Sequence, residues 1–380
     1  MRPGPKFVLR VLIVAGVATA LMLQHQSQVR LRQEIQRLGR QLAELQDVKE
    51  NLSGHITGAK IVPEPRLPAP PTQPASPTPA PAEERAATNL FAQFKDPPDL
   101  TAEQVQAYLQ ANGRKVSTLL AAYRTSCDPA LLQEAMRNYP ADPQVAFEAA
   151  FSKDLSPEQR RQWLDAFEQA APENALANYL SARDYLQAGQ ANQAVQELIT
   201  ASGKRQFQDY TLDRRQDDEE AYLAAGYSTG AAKMIASGQV ELPQLAQLKQ
   251  LGLQMVELAS SYRQAGDEAS AQSLLQMTAT LGQRYGPGDC AISHLVGVAI
   301  ERNALGAMAS TSPYGDTGQT VQDRLDQLAQ LKTTVKSLFE QGEPLLEGMS
   351  DRDWISYIDR DKAYGEEAAM KWALGKFGRK

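Results

Sequence analysis

Candidate catalytic residues are scarce in this sequence of 380 residues. Histidine, the most frequent general base, occurs three times, and His25 and His55 precede the part of the chain that is patterned like a folded body. His294 stands in the apolar stretch AISHLVGV, where we expect a packed core residue. The sequence therefore predicts neither a Ser-His-Asp or Cys-His set nor an HExxH zinc motif.

The cysteines and glycines give no sign of a metal or cofactor site. Cys127 and Cys290 lie far apart and lack the paired spacing of a zinc or redox motif. They are either buried free thiols or the two halves of one disulfide. No glycine pattern ends in Gly-Lys-Ser/Thr, so no phosphate-binding loop is predicted. We expect no cofactor and no bound metal.

Carboxylates offer the remaining route to catalysis. Asp316-Thr317-Gly318 is similar to the aspartic-protease triplet, but it stands in a polar turn rather than on a loop between apolar strands. A pair of carboxylates, one protonated and one ionised, could cleave a glycan, and an envelope enzyme of this kind is the alternative functional interpretation. Four carboxylates are available for such a pair, although their spacing also fits solvated helix faces: Glu219, Glu220, Asp351 and Asp353.

The charge distribution excludes nucleic acid as a partner. The formal net charge is -6, while the first 60 residues are basic, so the rest of the chain is strongly acidic. An acidic surface repels a phosphate backbone.

The N-terminal segment is patterned like a membrane anchor. Residues 1–6 form a basic tail, and residues 7–23, FVLRVLIVAGVATALML, form an apolar run long enough for a short transmembrane helix. A cleaved signal peptide is the alternative, because Ala18-Thr19-Ala20 resembles a cleavage site. The basic tail favours a cytoplasmic N-terminus and an extracytoplasmic main body, periplasmic if the cell has such a space.

Two extended segments follow the predicted anchor. Residues 28–56 carry a heptad seam that predicts a coiled coil and hence a homo-oligomer, and the alternative is a single amphipathic helix. Residues 57–95 form a proline-rich linker, in which nine of the 22 residues from Ile61 to Ala82 are proline. Such a segment favours extended polyproline II, as a spacer or as a PxxP ligand. The apolar seam consists of Leu31, Ile35, Leu38, Leu42, Leu45, Leu52 and Ile56.

Prolines that recur at regular intervals predict an all-α body over residues 96–310. Asp128-Pro129, Asp142-Pro143 and Ser156-Pro157 recur at even intervals. In each pair the first side chain can cap a new helix while proline takes the first helical position. Thr101 and Gln104 form a further capping box, and sustained strand patterns are absent from the sequence.

Two stretches within this body resemble the tetratricopeptide repeat. NALANYLSARDYLQAGQANQAVQELITAS and GLQMVELASSYRQAGDEASAQSLLQMTATLG share Y-x-x-A-G, which places Tyr185 with Tyr262 and Gly189 with Gly266. Asn178 departs from the family pattern, which usually has a large apolar residue there. A degenerate copy precedes both, with Phe147 and Phe151 on one helix and Trp163, Phe167 and Ala170 on the next.

The resemblance implies a stack of helical hairpins with a groove for a protein or peptide. In that family the first helix of each hairpin faces the groove. The leading hypothesis is therefore a membrane-anchored, non-enzymatic scaffold. The resemblance implies that these residues line the groove: Tyr179, Arg183, Gln187, Ser260, Arg263 and Gln264.

Two further segments carry open alternatives. The stretch from Gly203 to Gly230 interrupts the repeats with mixed charges, and it is either a solvated connector or part of a binding face. Residues 320–380 are predicted to begin with an amphipathic helix and to end in two short helices. Four aromatic residues there either cap the array or hold a partner: Trp354, Tyr357, Tyr364 and Trp372.

Overall fold

A computed structural model describes residues 99–315 and 318–378. Over these residues the chain is all-α apart from one pair of two-residue strands, which confirms the predicted fold class. The predicted basic tail, anchor, coiled coil and proline-rich linker lie outside the described residues. In the part that is described, no helix is both long and apolar enough to cross a membrane.

The helices follow one another with short connections. The first seven are α1 Ala102–Asn112, α2 Val116–Ser126, α3 Pro129–Asn138, α4 Pro143–Ala150, α5 Pro157–Ala170, α6 Ala175–Gln187 and α7 Ala191–Gly203. The next five are α8 Thr211–Ala224, α9 Thr229–Gly238, α10 Pro243–Gln264, α11 Glu268–Gly282 and α12 Ala291–Gly306. The chain ends with β1 Pro313–Tyr314, β2 Gln319–Thr320, α13 Val321–Leu346, α14 Asp351–Tyr364 and α15 Glu366–Phe377.

The proline-punctuated helices begin as the sequence predicts. Asp128 and Asp142 accept hydrogen bonds from the first free amides of α3 and α4, and proline occupies the first helical position of each. Ser156 and Gln159 form the capping box of α5, and Thr101 and Gln104 form that of α1. The helix boundaries in this region therefore follow from local chemistry.

The two repeat-like stretches fold as helical hairpins. In each, the chain turns at a glycine with positive φ, 74° at Gly189 and 83° at Gly266. Hairpin α6/α7 packs on hairpin α10/α11, α6 against α10 and α7 against α11, around one core that also includes residues of α4 and α5. This arrangement is compatible with a helical repeat.

The helices α8 and α9, which lie between the two hairpins in sequence, do not join that stack. Instead α8 packs on α1 and α2, and α9 packs on α14. Tyr222 and Ile235 complete an N-terminal core with residues of α1–α3. Two hairpins that are separated in sequence are therefore neighbours in space.

The charged segment between the repeats is buried, which corrects the expectation of a solvated connector. Arg214 and Arg215 of α8 are 4% and 5% exposed, and Asp218 and Glu219 are also buried. Arg214 and Arg124 both pair with Glu148, at 2.9 and 3.0 Å. Neighbouring helices supply opposite charges, so the charge run can be buried. The other ion pairs formed by charged residues of this segment are Arg124–Asp218, Arg215–Asp361, Glu219–Lys233 and Glu219–Lys362.

Two of the four predicted aromatic residues lie in the core formed by the C-terminal helices. Trp354 and Tyr357 are buried with Met234 of α9, so the cap covers the inserted helix pair. Trp372 is half-buried, with the Arg360 guanidinium 4.5 Å from its ring centre. Tyr364 remains 70% exposed.

His294 is a buried residue, as the sequence predicts. Its exposed fraction is 6%, and Nδ1 lies 2.6 Å from Oε1 of Glu367 on α15. This contact joins α12 to the C-terminal helices. Cys127 and Cys290 are free thiols, so the disulfide alternative is not realised, but Cys127 is exposed and Cys290 is half-buried, which corrects the expectation that both are buried.

Asp217 gives the stability of this fold a predicted pH dependence. Burial is the main cause that raises its pKa to about 6; Asp218 and Glu220 add to the rise and Arg124 opposes it. Between pH 4 and 6 the folded state therefore holds more protons than the unfolded state, so stability falls as pH rises. Asp217→Asn should stabilise the protein by about 1 kcal/mol at pH 7.5, an estimate reduced for partial exposure, and by little at pH 4. Denaturant unfolding at both pH values tests this; an equal difference at both would contradict it.

Candidate functional site

One predicted groove residue belongs to the core. Tyr179 has no exposed surface, and its ring packs edge-on against Phe207, with ring centres 6.3 Å apart. The family pattern placed Tyr179 at the groove. In this chain Phe207, from the connection between α7 and α8, and the surrounding core cover that side of α6, so Tyr179 cannot touch a partner in the folded structure.

Arg263 has a structural role at the end of α12. Its Nε lies 3.1 Å from Glu268, and its Nη1 donates a 2.6 Å hydrogen bond to the carbonyl oxygen of Ala307. Ala307 follows the last residue of α12, so Arg263 caps that helix end. Ser260 and Gln264 are exposed on the same part of α10.

The structure does not bring all the predicted residues together. The repeat alignment places Arg183 with Ser260, yet Arg183 Nη2 donates to Gln250 Oε1 at 2.9 Å. Gln250 precedes Ser260 by ten residues, which is about 15 Å along a helix. The two hairpins are therefore offset along their helix axes, so that the turn at Gly266 does not lie beside the turn at Gly189. As a result, Arg183 is not adjacent to Ser260, Arg263 and Gln264.

Arg183 and Gln187 form a polar site with two residues outside the prediction. Arg183 Nη1 donates to Gln187 Oε1 at 3.1 Å and Nη2 to Gln250. Arg160 of α5 is close enough for its charge to act on Arg183. We call Arg160, Arg183, Gln187 and Gln250 the α6/α10 face.

The two arginines of this face have no carboxylate partner among the described residues. Arg183 is held by neutral amides, and Arg160 makes no side-chain hydrogen bond or ion pair within the described chain. Arg161, next to Arg160, engages the surrounding acids instead. Its contacts are Asp165 at 2.7 Å, Glu168 at 3.3 Å and Asp184 at 3.6 Å.

The environment of Arg183 disfavours its positive charge, as the direction of its pKa shift shows. Burial lowers the pKa of its guanidinium, the charge of Arg160 lowers it further, and Asp184 opposes both. Its Nε atom is also buried without a hydrogen-bond acceptor among the described residues. Among the described residues, no carboxylate forms an ion pair with either arginine of the α6/α10 face, so the face is a cationic site.

The carboxylates considered for glycan cleavage are spread over different environments. Glu219 is buried between Lys233 and Lys362, whereas Glu220 is exposed and accepts a hydrogen bond from Gln216. Asp353 pairs with Lys376, and Asp351 is exposed at the start of α14. Within the described residues, no group of three or more His, Cys, Asp or Glu side chains is arranged to hold a metal ion.

A separate surface groove contains none of the predicted residues. It has a volume of about 710 Å³ and lies along α13, with Leu374 of α15 at its edge. Its lining is uncharged and includes no histidine, carboxylate or lysine that could act as a general acid or base beside its hydroxyl groups. Its α13 residues are Ala329, Gln330, Thr333, Thr334, Ser337, Leu338 and Gln341.

Comparison with protein-family models, curated proteins and solved structures finds no match for this chain. The tetratricopeptide-like interpretation therefore rests on the residues and on the packing of the helices.

Sequence reasoning missed Arg160 and Gln250. Arg160 lies on α5, outside the first helices that the family pattern assigns to a groove. Gln250 lies in the N-terminal half of α10, before the second repeat-like stretch begins. The packing of α5 on α6 brings Arg160 near Arg183, and the offset between the two hairpins brings Gln250 to it.

Proposed function

We propose that this protein is a membrane-anchored, non-enzymatic scaffold that binds a protein or peptide partner through the α6/α10 face. The observation that carries the proposal is the pair of arginines at the joint of two stacked hairpins, neither of which has a carboxylate partner among the described residues. Charged groups left unpaired at a rigid surface are available to a partner at low reorganisation cost.

The N-terminal sequence completes the proposed architecture. The apolar run anchors the chain with its N-terminus in the cytoplasm, and the heptad segment joins copies of it. The proline-rich stretch spans roughly 60–70 Å as polyproline II and holds the helical body away from the membrane on the extracytoplasmic side. Self-association raises the local number of binding faces, which favours capture of multivalent partners.

Charge reversal at Arg183 should separate binding from stability. Arg183→Glu is expected to reduce partner capture by the full chain about tenfold or more, because it replaces a donor with an acceptor at the face. The unfolding midpoint should change little, since Arg183 is half-buried and a glutamate there can pair with Arg160. Crosslinking in intact cells measures capture, and thermal unfolding measures stability.

Arg205→Glu provides a matched control. Arg205 is exposed between α7 and α8, and its side chain makes no hydrogen bond or ion pair within the described residues. Its reversal should leave capture unchanged. Equal capture by both variants and the parent chain would contradict the assignment of binding to the α6/α10 face.

A further inference from the structure

We propose that the partner of the α6/α10 face is an acidic peptide segment whose carboxylate is bound by Arg160 and Arg183. This inference rests on the proposed function and adds the chemical class of the partner. It follows from three features of the described residues, namely the position of the cations, the glutamines that orient Arg183 and the exposed amide N–H groups of those glutamines.

The position of the two cations is fixed by the packing of α5 against α6. Arg160 and Arg161 are consecutive on α5, and Arg183 and Asp184 are consecutive on α6. Arg161 Nη1 lies 3.6 Å from Asp184 Oδ2, which brings the two helices together at this level. The Arg161 guanidinium also lies 4.6 Å from the centre of the Tyr185 ring. The Arg160 and Arg183 side chains therefore lie near each other, while Arg161 engages the local acids.

The Arg183 guanidinium is oriented by glutamines from two helices. Gln187 and Gln250 accept from different terminal nitrogens, which holds the guanidinium plane between α6 and α10. A carboxylate can accept two parallel hydrogen bonds from one edge of a guanidinium, and charge-assisted bonds of this kind are about twice as strong as bonds to an amide. An incoming carboxylate would also offset the repulsion between the two arginines.

Exposed amide groups beside Arg183 favour a peptide over a free anion. Gln187 and Gln250 are exposed and use their Oε1 atoms for Arg183, and their Nε2 groups have no acceptor among the described residues. A peptide can place a side-chain carboxylate on the arginines and backbone carbonyl oxygens on these amides at once, whereas a small free anion carries no second group for them. The body of the chain is acidic, so this cationic face is also distinct from its surroundings.

A single substitution can place a carboxylate, the group predicted to bind here, beside Arg183 within the protein itself. Gln250→Glu puts a carboxylate where Oε1 now lies 2.9 Å from Arg183 Nη2. We expect this variant to unfold at the same temperature as the parent or higher, because it neutralises an unpaired cation. It should nevertheless lose acidic-peptide binding by about 10- to 100-fold, the worth of a charged hydrogen bond. If Gln250 had only a structural role, this variant would not keep its unfolding midpoint while losing peptide binding.

The test uses a displayed library of random twelve-residue peptides, selected on the full chain in detergent. We expect the recovered peptides to be enriched in Asp and Glu, and to bind Gln250→Glu much more weakly than the parent. Gln196→Glu, which adds the same charge at an exposed position on α7, should bind them as the parent does.

The outcomes separate this inference from the proposed function. Recovered peptides that are not enriched in Asp or Glu, or that bind Gln250→Glu as well as the parent, would overturn the acidic partner and leave a peptide-binding face. Recovery of no peptide whose binding depends on Arg183 would count against both proposals. Binding of free phosphate or glutamate as tight as that of the peptides would replace the peptide with a small anion.

Discussion

Gly297→Ala is expected to destabilise the protein by about 3 kcal/mol, since α11 and α12 cross there with their backbones in contact. A Cβ atom on Gly297 would meet the carbonyl oxygen of Gly282, and a Cβ atom on Gly282 would meet the amide nitrogen of Glu301 at 2.6 Å. Backbone atoms cannot rotate away as a side chain can, so the two helices must separate. Denaturant unfolding measures the loss.

A second glycine of the same helix provides the control. Gly306 ends α12, and a Cβ atom there would have no neighbour within 4 Å. Gly306→Ala should leave the stability unchanged or raise it by about 0.5 kcal/mol, because alanine restricts the unfolded chain. Similar unfolding curves for the two variants would show that the α11–α12 crossing is looser than described.

Glu148→Gln is the second substitution with a large expected effect. Glu148 is 8% exposed, accepts a hydrogen bond from Arg124 and forms an ion pair with Arg214, so its neutral isostere leaves two buried guanidiniums undercompensated. Burial would lower the pKa of Arg124, but the charges of Asp218 and Glu148 outweigh burial and raise it. Removal of one partner from a buried ion network costs about 3 kcal/mol or more.

The comparison for Glu148 is an exposed ion pair. Lys336 and Glu340 lie 3.4 Å apart on α13, and both side chains are more than half exposed. Glu340→Gln should change the free energy of unfolding by less than about 0.5 kcal/mol, because water screens such pairs. If Glu148→Gln proved as mild as Glu340→Gln, α8 would not be held to α2 and α4 by its charges.

Local signals in the sequence predicted the helices well. The caps at Asp128, Asp142 and Ser156 act within three residues of the helix start, so their effect can be inferred without tertiary contacts. The glycine turns at Gly189 and Gly266 are local in the same sense. The all-α class and the two hairpins follow from such signals.

Long-range pairing could not be inferred in this way. The sequence does not reveal that α8 leaves the stack, because its partners Arg124, Glu148 and Asp361 are distant along the chain. The family pattern likewise assumes hairpins in register, whereas Arg183 meets Gln250 and not Ser260. Two of the predicted groove residues, Arg183 and Gln187, lie together on the α6/α10 face, whereas Tyr179 is buried and Arg160 was not predicted.

The central claim is that a partner docks on the α6/α10 face, and crosslinking from a single position tests it most directly. A photoreactive residue in place of Gln187, which is exposed beside Arg183, should crosslink a protein partner in intact cells expressing the full chain. The same residue in place of Gln196 on α7 should capture none, and Arg183→Glu should abolish capture from position 187. Equal capture from positions 187 and 196, or capture from 187 that survives Arg183→Glu, would contradict the account.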